Sequence, residues 1–169
     1  MLIIYTGNGK GKTTSAFGVI LRSLSLGKKV LLLQFMKPDK ESAITDLEKN
    51  YTNFKSLNFG VKEFIKKGEK PKELNKICFA GFETLKNIYK DYDLIVVDEI
   101  CISFYFNLLD KNEVLNFIKS VQQDGFKDFI LTGRKCPKEF IDLADIVTEM
   151  KLIKHHYNLG IPAKKGIDY

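Results

Sequence analysis

Leu2-Ile3-Ile4-Tyr5-Thr6-Gly7-Asn8-Gly9-Lys10-Gly11-Lys12-Thr13-Thr14 opens on a short apolar run, turns through alternating glycines and ends in residues that suit a helix start. Each part serves one chemistry. Glycines let successive backbone N–H groups turn into a concavity that cups phosphate oxygens. The start of the following helix adds partial positive charge. Lys12 brings a mobile ammonium to the phosphates, and Thr13 offers a hydroxyl to Mg²⁺. Gly7, Asn8, Gly9, Lys10, Gly11, Lys12, Thr13 and Thr14 are therefore the candidate nucleotide-binding residues. The spacing departs from the common pattern: Thr6 stands where that pattern places its first glycine, and Gly7 comes one residue late. The competing reading is a glycine-rich turn between strand and helix that holds no ligand.

Outward from the loop, strands alternate with helices. Leu2–Tyr5, Val30–Phe35, Phe54–Phe59, Leu94–Val97, Phe129–Thr132 and Ile146–Leu152 read as strands. Thr13–Leu26 reads as a helix stopped by Gly27. Glu73–Lys90 carries Leu74, Ile77, Cys78, Gly81, Phe82, Leu85, Ile88 and Tyr89 on one helical face. Asp110 with Glu113 resembles a capping box opening a helix to about Gln123. Shorter helices are expected at Ile44–Asn50 and Pro137–Leu143, a turn at Pro38-Asp39, and a glycine-punctuated tail over His155–Tyr169. The alternation predicts an α/β fold, a mostly parallel sheet flanked by helices.

The polar signals fall just after strand ends, at Gly7–Thr14, Gln34–Lys37, Asp98-Glu99 and Thr132–Arg134. Open parallel sheets bind ligands at that edge. Asp98 and Glu99 occupy the place where P-loop proteins hold a metal-linked acid. Asp98 suits Mg²⁺ through water, and Glu99 suits the metal directly or the activation of a water. A solvated acidic pair is the plain alternative. Arg134 suits a phosphate or a surface ion pair, and Lys10 a phosphate or solvent.

The length, 169 residues, fits one domain spanning 1–169. The composition, 44% hydrophobic and 28% charged, is that of a globular chain. Apolar runs such as Val30–Leu33 fall far short of the roughly 18–20 residues of a membrane span. Nothing at Met1–Thr6 resembles a signal peptide, so a cytoplasmic location and no membrane partner are expected. The net charge is +6, but all basic residues except Arg22 and Arg134 are Lys. Base and phosphate readers lean on Arg forks, which argues against a nucleic-acid partner. Cys78, Cys101 and Cys136 are widely spaced and only His155 and His156 are histidines, which speaks for reduced packing thiols over zinc or disulfides.

The loop alone says only that a nucleotide binds. Gly7–Thr14, Gln34-Phe35-Met36-Lys37, Asp98-Glu99-Ile100, Leu131-Thr-Gly-Arg134, Leu143–Met150 and the tail Gly160–Tyr169 together resemble the ATP:corrinoid adenosyltransferase family, in that family's order and over nearly the whole chain. The resemblance implies a P-loop NTPase core of the RecA-like type, often as a homodimer. It implies that the Co(I) centre of a corrinoid attacks C5′ of ATP and that triphosphate leaves. The loop would hold the triphosphate so that C5′ faces the corrin. Lys12 and Glu99 would then be catalytic, Thr13, Asp98 and Glu99 would serve Mg²⁺, and Arg134 would meet a phosphate or corrinoid amides. An electron donor for Co(II) is also implied.

Co(I) needs no general base, so catalysis would rest on positioning and on the leaving triphosphate. Longer relatives carry a segment ahead of the first strand that helps cover the corrinoid; here the strand starts at Leu2. Relatives also place a Phe and a Trp where they displace the lower cobalt ligand. This chain has no Trp, and Phe59 or Phe64 would substitute, unless both are ordinary core residues. His155, His156 and Tyr157 would line the corrinoid site or order the tail. A small P-loop kinase or ATPase, a nucleic-acid-stimulated ATPase and a non-enzymatic corrinoid carrier are the competing functions.

Overall fold

Continuous apolar strands make sense only when both faces of a sheet are covered. The computed structural model, which describes residues 1–38, 45–61, 72–123, 125 and 127–168, has that arrangement. Strands β1 (Leu2–Thr6), β2 (Val30–Phe35), β3 (Phe54–Phe59), β4 (Leu94–Asp98), β5 (Asp128–Thr132) and β6 (Ile146–Glu149) form one six-stranded sheet in the order β3-β2-β4-β5-β1-β6. Every pairing between them is parallel.

Because side chains alternate across a strand, neighbouring residues serve opposite layers. Leu31, Leu33 and Phe35 of β2, with Ile95 and Val97 of β4, join the core under α2 (Lys72–Ile88), α3 (Ile100–Tyr105), α4 (Lys111–Gln123) and α5 (Lys138–Leu143). Val30, Leu32, Leu94, Val96 and Ile130 point the other way, onto Ala16, Ile20 and Leu24 of α1 (Lys12–Ser25). Cys78 lies in the first core, where burial pushes its thiol up to about 12. The described cysteines are all free.

Several boundaries differ from the sequence reading. The parallel sheet itself is as expected, and every pairing among the described strands is parallel. The last strand stops at Glu149: Met150 N–H still continues the ladder onto Thr6 O, but its carbonyl accepts from Gly9 of the phosphate loop. The short helix expected to Asn50 is a 3₁₀ turn over Thr45–Lys49, and residue 44 lies outside the described residues, as does Asp39 of the expected turn. The amphipathic helix ends at Ile88 and passes into a 3₁₀ turn, Tyr89–Asp91. Helix α3 was not anticipated. Asp110 does cap α4, accepting from the N–H groups of Asn112 (2.7 Å) and Glu113 (3.2 Å). The reciprocal half of the capping box is missing, since the Glu113 carboxylate pairs with Lys86. Among the described residues no helix is long and apolar enough to cross a membrane.

Candidate active site

The loop after β1 is pinned against the chain that follows β6. Gly9 N–H donates to Met150 O at 2.6 Å, and Met150 N–H donates to Thr6 O at 2.8 Å. A Cβ at Gly7 would fall 2.5 Å from Met150 O, and one at Gly9 would fall 2.7 Å from the same atom. Only glycine fits so close to a backbone, which accounts for a glycine at position 7 although it sits one place away from the common spacing. Gly7 and Asn8 thus shape the loop rather than line the cleft it borders.

Helix α1 starts at Lys12 behind Gly11, with no side-chain cap and no acidic residue in its first turn. Its leading N–H groups are left for an anion. Lys12 is only 6% exposed, and its Nζ donates to Gly9 O at 2.7 Å. Burial lowers its pKa, and the Arg134 charge adds to that, against the opposing pull of Glu99 and Asp98. A buried ammonium in that state gains when phosphate arrives.

Asp98 closes β4 on the α1 side of the sheet and is fully buried. Its Oδ1 accepts from Thr13 Oγ1 (2.9 Å) and Thr132 Oγ1 (2.6 Å). Its Oδ2 accepts from Gln34 Nε2 (3.0 Å) and Lys37 Nζ (2.7 Å). Burial alone would raise its pKa, but the Lys37 charge and these hydrogen bonds outweigh burial and hold it below the ordinary value. The solvated-pair alternative therefore fails for Asp98. Glu99 follows in a left-handed conformation (φ 60°) that starts α3, with its N–H on Thr132 Oγ1 at 3.0 Å. Its part-buried side chain faces the cleft, and burial, then the Asp98 charge, raises its pKa.

Gly9–Thr14, Lys37, Asn58, Glu99, Arg134, His155 and Gly166–Asp168 line one cleft of about 690 Å³. Arg134 is exposed at its rim. Phe59 ends β3 away from that lining. Its ring lies over Gly81, where a Cβ would come within 2.6 Å, and 5.9 Å from the Phe35 ring. Phe64 lies outside the described residues. Lys10 Nζ, expected free or on phosphate, is bonded to the C-terminal tail.

Sequence reasoning marked Gln34–Lys37 and Thr132–Arg134 as polar signals at the ligand edge and the tail as part of the resemblance, but gave Gln34, Lys37, Thr132 and Asp168 no individual role. The first and third had a readable signal. Gln34, next to last in β2, and Thr132, last in β5, are polar residues at the ends of apolar strands on the face that Asp98 shares.

The whole chain, residues 1–169, matches the model of the family described as ATP:corrinoid adenosyltransferase BtuR/CobO/CobP. It is 33% identical to the corrinoid adenosyltransferase CobA of Salmonella typhimurium, over 100% of this chain and 85% of that protein. It is 32% identical to the corrinoid adenosyltransferase of Escherichia coli K12 over the same shares, and 30% identical to that of Pseudomonas aeruginosa over 100% and 83%. In fold it is similar to the KaiC-like protein PH0186 of Pyrococcus horikoshii, with a TM-score of 0.57 at 18% identity over 91% of this chain and 74% of that one. Matched from end to end by the family model and by these relatives, the chain belongs to the ATP:corrinoid adenosyltransferase family.

Proposed function

We infer that this chain, as a single domain over 1–169, transfers the 5′-deoxyadenosyl group of ATP to the Co(I) centre of a corrinoid, in adenosylcobalamin biosynthesis or salvage. The observation that carries the mechanism is the cleft itself. The uncapped start of α1 and the buried Lys12 face Glu99 and the family-specific tail across one space. Cobalt, as substrate, supplies the electron pair for the new Co–C5′ bond. The C5′–O bond breaks, and its electron pair leaves with triphosphate. The chain's task is to fix the line of attack and to hold charge building on the triphosphate. Lys12, the amides of Gly9–Thr13 and Arg134 suit that task.

The donors also suit Mg²⁺ arriving with the nucleotide. Thr13 Oγ1 lies 2.9 Å from Asp98, and the Glu99 carboxylate faces the same cleft. Thr13 and Glu99 would hold the ion. Asp98, whose oxygens four protein donors already occupy, would act through the Thr13 hydroxyl it orients rather than through a water of its own. Mg²⁺ would supply charge neutralisation on the leaving triphosphate. An electron donor for Co(II), a homodimer and a cytoplasmic location complete the reading. The dimer is supported by β6, whose four residues are all exposed and which has only β1 beside it among the described residues.

The test is anaerobic mixing of the protein with Mg-ATP and chemically reduced cobalamin. Decay of the Co(I) absorbance with release of triphosphate is expected. Persistent Co(I), or ADP as product, would overturn the reading, ADP in favour of a P-loop kinase or ATPase. Lys12→Ala should lower kcat/KM by about 10²–10³, and an unchanged value would remove the loop from the mechanism.

A further inference from the structure

Lys10 sits at the middle of the phosphate loop, yet its ammonium is engaged by residues near the other end of the chain. Lys10 Nζ forms an ion pair with Asp168 Oδ1 and donates to Ile167 O at 3.0 Å. The second oxygen of the same carboxylate, Oδ2, accepts from Lys164 N–H at 2.8 Å and lies 4.0 Å from His156 Nε2. The backbone closes the same turn, with the N–H groups of Ile167 (3.1 Å) and Asp168 (2.8 Å) both on Lys164 O. One carboxylate oxygen thus holds the tail's own turn together, and the other ties that turn to the loop. The Asp168 side chain is only 14% exposed, whereas that of Lys10 is 42% exposed.

The tie matters because of what it places. Gly166, Ile167 and Asp168 line the same cleft as Lys12 and Thr13. Among the described residues, the other hydrogen bonds of His155–Ile161 run inside the tail: Tyr157 N–H to His155 Nδ1, Asn158 N–H to His155 O, Gly160 N–H to Tyr157 O and Ile161 N–H to His156 O. Tyr157, Leu159 and Ile161 are 80%, 58% and 52% exposed. A segment with so little core burial needs a polar fastening to keep one position.

We propose that Asp168 is a positioning residue which, through Lys10, seats the C-terminal tail as the outer wall of the nucleotide cleft. This rests on the reading of that cleft as the ATP site. Lys10 then works on the tail, and Lys12 alone of the loop lysines works on phosphate. The carboxylate makes the wall specific to a cleft whose loop carries a cation at position 10.

The experiment uses the full chain with Asp168→Asn, Asp168→Glu, Lys10→Met and the Lys10→Met/Asp168→Asn double variant. Two readouts are taken: affinity for a fluorescent ATP analogue without corrinoid, and trypsin cleavage after Lys164 and Lys165. Asp168→Asn and Lys10→Met should each weaken nucleotide binding by about fivefold, the scale of a partly exposed ion pair, and speed cleavage of the tail. The double variant should be no worse than either single one, and Asp168→Glu should restore protection. In steady state the loss should fall on KM for ATP, with kcat nearly kept. Unchanged affinity and cleavage in Asp168→Asn would overturn the proposal. So would additive losses in the double variant, which would put Lys10 on phosphate independently. Neither readout involves cobalt, so a chain that binds ATP with a fastened tail but never alkylates Co(I) would refute the adenosyltransfer reading and leave this one standing.

Discussion

At the scale of single residues, Asp98 organises the site without lying open to it. A buried carboxylate persists as an anion only if its oxygens are fully bonded and a cation stands near. Thr13, Thr132, Gln34 and Lys37 meet both demands. Each donor comes from a different stretch of chain, so Asp98 fixes α1, β5, β2 and the turn after β2 relative to one another. Asp98→Asn would remove the charge facing Lys37 and set an amide N–H₂ among donors. A loss of about 2–4 kcal/mol in urea unfolding is expected, well above the effect of an ordinary surface change. The pH dependence has a definite sign. The folded-state pKa of Asp98 is held below its ordinary value of 3.8. The folded state therefore binds this proton less readily than the unfolded chain. Its stabilisation is complete above pH 3.8 and is lost as pH falls below it. Unfolding midpoints measured on the acid side of pH 4 should slope less steeply in Asp98→Asn than in the parent; parallel slopes would mean that the lysine pair does not hold the anion.

At the scale of elements, close packing of α2 on β3 rests on Gly81, which lies beneath the Phe59 ring. Two effects oppose each other when Gly81 becomes Ala. Helix propensity gains up to about 1 kcal/mol, while a Cβ 2.6 Å from Phe59 Cγ overpacks the contact at a cost of about 1–3 kcal/mol. Overpacking should win, and the urea midpoint of Gly81→Ala should fall; a rise would mean that Phe59 swings aside freely. The glycine was legible in the sequence as part of the apolar face of α2, though not as the seat of a ring. The strands β2, β4 and β5 were equally legible, since runs such as Val30–Leu33 suit only a sheet covered on both faces. What escaped had no local signature. Helix α3 starts behind Glu99, which takes a left-handed conformation where β4 hands the chain over at the site. Strand β6 gives way at Met150, whose carbonyl accepts from Gly9 in a loop some 140 residues earlier in the chain. The Lys10–Asp168 tie joins residues 158 apart, a separation that no periodicity encodes.

At the scale of the whole molecule, the sheet has two unlike edges. Strand β3 ends one side, and its residues are mostly part-buried. Strand β6 ends the other with Ile146 and Val147 exposed at 44% and 39%, and Leu152 and Ile153 just beyond it at 41% and 84%. An uncovered, apolar strand edge invites pairing with another chain, and a pair of copies is the occupant that closed symmetry favours, since each presents the same strand to the other. The net charge of +6 opposes that approach only weakly at physiological salt, where charges separated by more than about 8 Å are screened. Apolar burial at the edge should therefore prevail over charge repulsion. A homodimer joined through β6 should be visible by sedimentation velocity and should change little between low and physiological salt. Val147→Lys places a charge on the pairing edge and should shift the population to monomer, with the urea midpoint of the isolated fold nearly unchanged because Val147 contributes little to the core. A parent chain that sediments as a monomer at all concentrations, or a Val147→Lys variant that stays dimeric, would move the interface away from β6.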